Sequence, residues 1–390
     1  MNINSCLICK NKSLKKYLSL GQQPLANNLS KKILVKKYPL EIFFCKKCFH
    51  NQLGYEVKKE KLFSKYLYLS SQSKTLQNHF DKAAYKYIKR FNLNKNSRIV
   101  DVGSNDGIAL RYFKKKNFFN YLGIEPAKNV AQIANKNGIN TLNSFLNMKL
   151  ANKYFNTVDL LLASNVFAHN RNISNLLDNL IKILKKDGVL VIEVQYLLSM
   201  LKENLFDNIY HEHIHYWSVS SLNSLLKKKS CSIYDVELIN THGGSVRIYV
   251  KKKKNLKSKN LLKILKQEIQ FGIFKQSTYN KFKINLENKK KKFLNFLKVN
   301  KKCSVIGYGA AAKASTVLNY LNISDQIKYI IDDNKIKQGR YIPGTSIKVI
   351  KRSFYKNEID YLIVFAWNYF SEIKEKIKYA KKVISIRNFF

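Results

Sequence analysis

The chain has 390 residues, with 71 Lys and Arg against 25 Asp and Glu, for a formal net charge of +46. Hydrophobic residues at 45% and aromatic residues at 13% exclude an intrinsically disordered chain, and the length predicts two or three domains with real cores. No apolar stretch approaches the ~20 residues of a membrane span, and the start MNINSCLICKNK has no apolar signal region, so a soluble, cytoplasmic protein is expected.

Nearly all the cations are lysines, alongside only 4 prolines and abundant Asn, Ile and Tyr, a composition that AT-rich codons account for. A nucleic-acid enzyme would draw more on Arg, whose planar fork suits phosphates and base edges. Solvated lysine faces are the expectation, and nucleic acid is not the expected partner.

Cys6-Leu-Ile-Cys9 and Cys45-Lys-Lys-Cys48 are two CxxC pairs in the first fifty residues. Each pair supplies two thiolates to one tetrahedral ion, so the four predict a closed, structural zinc site. Disulfides would need an oxidising compartment. Cys231 and Cys303 stand alone in apolar contexts and read as small core residues.

A Tyr- and Ser-rich stretch, YLYLSSQSKT, precedes the amphipathic segment LQNHFDKAAYKYIKRF. From Ser97 strands and helices alternate: SRIVDVG, a helix at 108–116, YLGIEP, a helix at 130–137, VDLLLAS, a helix at 173–185, and GVLVIEV. That rhythm predicts βαβ units on a parallel sheet. A charged helical run over 256–299 then leads to a second strand–glycine turn–helix unit, CSVIGYGAAAKASTVLNYL. The fold class is therefore α/β, with two lobes joined by long helices.

The first glycine turn, DVGSNDG (101–107), follows an apolar strand and opens a helix. Asp101 ends the strand, and Gly103 and Gly107 let backbone approach a ligand at its carboxyl end, with Ser104 and Asn105 between them. The spacing is not GxGxxG, which disfavours a dinucleotide. Glu125, closing the next strand, is placed to accept hydrogen bonds from a ribose diol. Together these resemble the S-adenosylmethionine site of Rossmann-like methyltransferases. The second turn, GYGAAAK (307–313), with Asp332 and Asp333 downstream, fits either a nicotinamide lobe or a degenerate Rossmann-like lobe holding part of a substrate.

The segment YHEHIHYWS (210–218) holds three of the 7 histidines and formally satisfies HExxH. A zincin needs that motif on a helix, whereas these neighbours are poor helix formers and Ser218 reads as the N-cap of the following helix. As a strand, His211, His213 and His215 would share a face. Three readings stay open: a metal site, a structural aromatic–His cluster, and acid–base catalysis.

The order of the CxxC pairs, YxYxSSxS, DVGSNDG, NVFAH, YHEHIHYWS, HGGSVR and GYGAAAK with DDNKIKQGRYIPGT is similar to the sugar C-methyltransferases, over nearly the whole chain. The resemblance implies a zinc-binding domain at 1–75, an S-adenosylmethionine-dependent methyltransferase domain at 76–255, connecting helices at 256–300 and a Rossmann-like domain at 301–390. It places zinc on Cys6, Cys9, Cys45 and Cys48, and the cofactor on Asp101, Gly103, Ser104, Asn105, Gly107 and Glu125, with Asn165 and Val166 near its methionine side. Its catalytic group falls on Tyr210, Glu212 and His213, with His213 resembling the general base. An earlier catalytic tyrosine is Tyr66 or Tyr68. Tyr216, Gly243, Gly244, Arg247, Gly307, Gly309 and Lys313 are expected against the substrate, a nucleotide-linked keto-sugar. Sparse arginine departs from the pattern and points to Lys or backbone at the phosphates. Competing readings are methylation of an oxygen or nitrogen of a sugar precursor, a zinc-ribbon RNA methyltransferase, and a nicotinamide oxidoreductase using the second lobe.

Overall fold

The computed structural model describes residues 1–33, 35–58, 61–62, 69–252 and 257–390. Near the N-terminus β1 (Leu14–Pro24), β2 (Lys37–Cys45) and β3 (Asn51–Leu53) pair antiparallel. Along β2 every second residue turns inward, so Leu40, Ile42 and Phe44 meet the core while their neighbours face out.

The middle sheet contains β4 (Ile99–Val102), β5 (Tyr121–Ile124), β6 (Thr141–Leu142), β7 (Val158–Ser164) and β8 (Leu184–Gln195), all parallel. These strands are near-continuous apolar runs, as strands covered on both faces must be. The chain then leaves this sheet: β9 (His215–Tyr216) pairs with β3 through Asn51↔Tyr216 and Gln52↔His215 and becomes the fourth strand of the N-terminal sheet. It returns as the hairpin β10 (Ser232–Ile239) and β11 (Ser245–Lys251), which lies antiparallel on β8 and completes the order β10-β11-β8-β7-β4-β5-β6. Ser218 caps the Val219–Lys227 helix in a reciprocal capping box with Ser221, as its position before an apolar run implies.

Helix limits differ from the sequence expectation at several points, the expected 130–137 helix running Lys128–Lys136. The helix expected at 108–116 shrinks to Arg111–Lys115, because 108–110 are spent in the turn that follows Gly107. The helix at 173 stops at Ile183, since Leu184 is extended and begins β8. The charged run at 256–299 is two helices, Lys259–Phe271 and Gln276–Val299, because Gly272 adopts φ 82 and caps the first with its N–H on Glu268 and Ile269 carbonyls.

The C-terminal sheet is all parallel, in the order β14 (Lys348–Ile350), β13 (Tyr329–Ile331), β12 (Val305–Tyr308), β15 (Ile359–Val364), β16 (Ala380–Ser385). One core joins the ends of the chain: Ile42 and Phe44 of the N-terminal sheet, Tyr279 and Phe282 of the long helix, and Val317 and Ile330 of the C-terminal lobe. Tyr279 stacks on Phe44 and tilts against Tyr17, with ring centroids 4.7 Å apart in each case. Burying each such side chain is worth about 1.5–3 kcal/mol, so the lobes do not move apart cheaply. Among the described residues no helix is long and apolar enough to cross a membrane.

Candidate active site

Each CxxC pair is folded by the same turn. Lys10 N–H bonds Cys6 O and Phe49 N–H bonds Cys45 O, and both residues adopt positive φ (61° and 56°). Cys6 Sγ lies 3.4 Å from Cys48 Sγ, Cys9 Sγ lies 3.5 Å from Cys45 Sγ, and all four sulfurs fall within 4.8 Å of one another. Tetrahedral zinc, with Zn–S of ~2.3 Å, spaces its sulfurs ~3.8 Å apart, so the four thiols fit that ion.

At the end of β4, Gly103 and Gly107 take φ 72° and 83°. A Cβ on Gly103 would lie 2.6 Å from Val166 Cγ2, and one on Gly107 would lie 2.8 Å from Ile139. Glu125 Oε2 accepts from Asn105 N–H (2.9 Å) and Oε1 from Ala127 N–H (2.8 Å), so the acid expected at a ribose also braces the turn. Burial raises its pKa, and these N–H groups oppose the rise. Asp101 is buried, its Oδ1 has no hydrogen-bond partner among the described residues, and burial plus the Glu125 charge push its pKa well up. Ser70 and Ser71 clip onto the turn from outside through N–H bonds to Asn105 Oδ1 (2.9 Å) and Asp106 Oδ2 (3.0 Å). This is the described part of the YxYxSS motif; Tyr66 and Tyr68 lie outside the described residues.

The Tyr210–His213 stretch is a turn held between the N-terminal sheet and the middle sheet. His213 Nδ1–H donates to Asn208 O (2.9 Å), which leaves Nε2 to accept from the Tyr210 hydroxyl (2.9 Å). Burial, then the nearby His169 ring, holds His213 well below the usual imidazole range, so it is neutral. The expected contact between Glu212 and His213 does not form. Asn27 Nδ2 instead reaches both Glu212 oxygens (2.9 and 2.8 Å), and burial pushes that carboxyl up to about 7. His169 Nδ1–H donates to the Glu212 carbonyl (2.7 Å) and fixes the turn from the other side.

His211 and His215 have other partners: His211 bonds Pro39 O, and His215 is held between His50 (2.8 Å) and Asn170 O (3.0 Å). Only His215 lies in a strand, so the three histidines share no face. Among the described residues the four cysteines are the only such group able to hold a metal.

One cavity of about 1010 Å³ gathers these parts. It is lined by Asp101, Gly103, Ser104 and Asn105 of the first turn and by Glu125 after β5, with Asn165 and Val166 beside them. Tyr210, Glu212 and His213 face it too, and Gly309 and Lys313 close it from the C-terminal lobe. Other expected residues serve behind it. Arg247 is buried in an ion pair with Glu193 (2.9 Å) and so is not offered to a substrate phosphate. Tyr216 is buried in the N-terminal sheet. Gly307 sits inside β12. Gly107 lies under Ile139, and Gly243 and Gly244 let Trp367 and Ser199 approach closely. Among the cavity residues that the sequence reading did not single out are His169, Asn27 and His242. His169 ends the quoted NVFAH motif and His242 opens HGG, so both were in view, but nothing in their spacing shows which way they face.

Three family models match in chain order. One described as “Putative zinc binding domain” covers residues 6–63, one described as “Methyltransferase domain” covers 76–234, and one described as “C-methyltransferase C-terminal domain” covers 240–384. C-methyltransferase NovU of Streptomyces niveus is 28% identical over 392 residues, spanning 96% of this chain and 92% of NovU. From residue 6 to residue 384 the chain is thus similar to C-methyltransferases. It is an S-adenosylmethionine-dependent methyltransferase, and its four cysteines are a zinc site. Solved structures similar to this methyltransferase include a possible histamine N-methyltransferase of Thermotoga maritima, with 20% identity, 45% of this chain and 91% of that chain covered, and TM-score 0.36. Another is the magnesium protoporphyrin IX methyltransferase of Synechocystis PCC 6803 with bound S-adenosylmethionine, at 12% identity, 45% and 79% coverage, and TM-score 0.35.

Proposed function

We propose that this methyltransferase alkylates the carbon beside the ketone of a nucleotide-linked 4-keto-deoxysugar, with His213 as the base. The observation that carries the reading is the shared cavity: the cofactor turn, Tyr210–His213 and the second glycine turn all open into one space. A volume of about 1010 Å³ suits a cofactor and a sugar nucleotide together.

A C–H beside a ketone is acidic enough to be removed by a well-placed base. His213 Nε2, with its lone pair directed by the Nδ1–Asn208 bond, is that base. Its lowered pKa keeps it unprotonated before substrate enters, and the negative diphosphate of the substrate would raise it again during the reaction. Tyr210 covers Nε2 in the free protein, so its hydroxyl turns aside for the substrate and becomes a hydrogen-bond donor to it. Asn27 and His169 hold Glu212 and thereby the loop that carries His213. When bound, S-adenosylmethionine supplies an electrophilic methyl group. Asp101, Glu125 and the glycine turn are the residues that would hold it.

The test is methyl transfer from labelled S-adenosylmethionine to a panel of 4-keto sugar nucleotides, read by mass spectrometry. His213→Ala lowers transfer about 10²–10⁴-fold, the usual worth of a positioned acid–base group, while calorimetry finds cofactor affinity unchanged. Turnover of His213→Ala near the wild-type rate would remove the base assignment, and turnover of no panel member would remove the substrate class.

A further inference from the structure

Lys313 enters the cavity from the C-terminal lobe, at the second position of the Ala312–Leu321 helix. Its ammonium is buried and has no hydrogen-bond partner among the described residues. Nζ instead sits 3.9 Å from the centroid of the Trp367 ring, and Trp367 Nε1–H donates to Asp207 Oδ2 at 2.5 Å. Gly243 makes room for that ring, since a Cβ there would lie 2.4 Å from it. The HGG turn is thus shaped to seat the tryptophan that supports the lysine.

A buried cation is ordinarily satisfied by a hydrogen-bonded anion. Here a ring face and the charge of Asp207 steady Lys313 while its donors stay uncommitted. The helix also shows where it points. Thr316, one turn further on the same face, donates from Oγ1 to Ile209 O at 3.2 Å, and Ile209 immediately precedes Tyr210. The charge of Lys313 is felt at both His213 and His242.

We propose that Lys313 is a further catalytic residue, whose ammonium donates a hydrogen bond to the substrate's keto oxygen and holds the negative charge that develops there. The assignment rests on the keto-sugar reading above. His213 Nε2 takes the proton from the carbon beside the ketone, the C–H pair becomes a C=C bond, and the C=O π pair moves onto the oxygen facing Lys313. On methylation the carbonyl re-forms, the new C–C bond takes the C=C pair, and the methyl–sulfur pair stays on sulfur. The proton on His213 leaves to water. Burial pulls Lys313 down to about 8, with Asp207 opposing and Arg387 adding to the fall, which makes it a stronger donor than an exposed lysine.

The same ammonium could take a phosphate oxygen instead, and the experiment separates the two. The full-length protein, with S-adenosylhomocysteine in place of the methyl donor, is incubated in D₂O with thymidine diphosphate 4-keto-6-deoxyglucose, and loss of the proton beside the ketone is followed by NMR. The wild-type protein exchanges that proton. Lys313→Met lowers the saturated exchange rate about 10²–10³-fold, the loss typical of one oxyanion donor, and Lys313→Arg recovers part of it. Affinities of Lys313→Met for S-adenosylmethionine and thymidine diphosphate match wild type, which shows that the variant is folded and keeps its nucleotide site. Saturated exchange by Lys313→Met within threefold of wild type overturns the assignment, and a weakened thymidine diphosphate affinity in that case makes Lys313 a phosphate ligand. No exchange by the wild-type protein overturns the keto-sugar reading and this assignment with it.

Discussion

The methyltransferase has two glycine turns of the same local design, one at 101–107 and one at 307–313, and both open into one cavity. Each follows a parallel strand, begins a helix and places a glycine at positive φ: Gly103 at 72° and Gly309 at 91°. They differ in what the acid of the next strand does. At the first turn Glu125 braces two N–H groups along its edge, while one Asp101 oxygen beside the cavity has no hydrogen-bond partner among the described residues. At the second, Asp332 accepts from Ala310 N–H (2.7 Å) and from Lys337 (3.1 Å), and Tyr308 bonds Asp333. Both acids thus hold their turns through backbone N–H groups, and of the two only Asp332 also pairs with a lysine among the described residues. A strand–glycine–helix unit is a scaffold, and the partners of the neighbouring acids decide which ligand it suits.

The largest effect should come from blocking the first turn. Gly103→Val sets a branched side chain where a single Cβ already lies 2.6 Å from Val166, at a φ that valine avoids. S-adenosylmethionine affinity should fall at least 100-fold by calorimetry, with the rest of the chain folded. Gly309→Val is the matching change at the second turn, its Cβ 2.6 Å from Ala366 Cβ. It should leave cofactor affinity intact and raise KM for the sugar nucleotide about tenfold. A loss of cofactor binding there would mean that the turns do not divide the ligands, and tight NADH binding to the second turn would return the oxidoreductase reading.

Features carried by local spacing were legible in the sequence. The CxxC pairs, the DVGSNDG turn and the Ser218 cap follow from residues within a few positions of one another, and the structure builds each of them. Features that depend on distant partners were not. Asn27 lies 185 residues from the Glu212 it binds, so nothing local predicts that Glu212 turns from His213. Arg247 resembles a phosphate ligand until Glu193, 54 residues away, neutralises it. The addition of β9 to the N-terminal sheet is likewise invisible to periodicity, because two residues carry no pattern. Gly272 was a missed local signal: one glycine in a lysine-rich helical run is enough to end it.

A smaller effect separates the two acids themselves. Asp332→Asn puts an amide where Ala310 N–H and Lys337 need an acceptor, and should cost about 1–3 kcal/mol, seen as a fall of several degrees in the thermal midpoint at neutral pH. Asp101→Asn should go the other way and depend on pH. Burial and Glu125 raise the Asp101 pKa in the folded protein above its ordinary value of 3.8. A carboxyl raised in this way adds no penalty while it is protonated in both folded and unfolded chains, below about pH 4. As pH rises towards the folded value, the unfolded chain ionises first, and the folded wild-type protein loses about 1.4 kcal/mol per pH unit relative to it. Asparagine mimics the protonated acid and carries no such term. The midpoint of Asp101→Asn should therefore gain on wild type between pH 4 and pH 7.5, whereas the deficit of Asp332→Asn should not turn into a gain. A difference between Asp101→Asn and wild type that stays flat with pH would mean that Asp101 is ionised and paired, and the contrast between the two turns would then lie elsewhere.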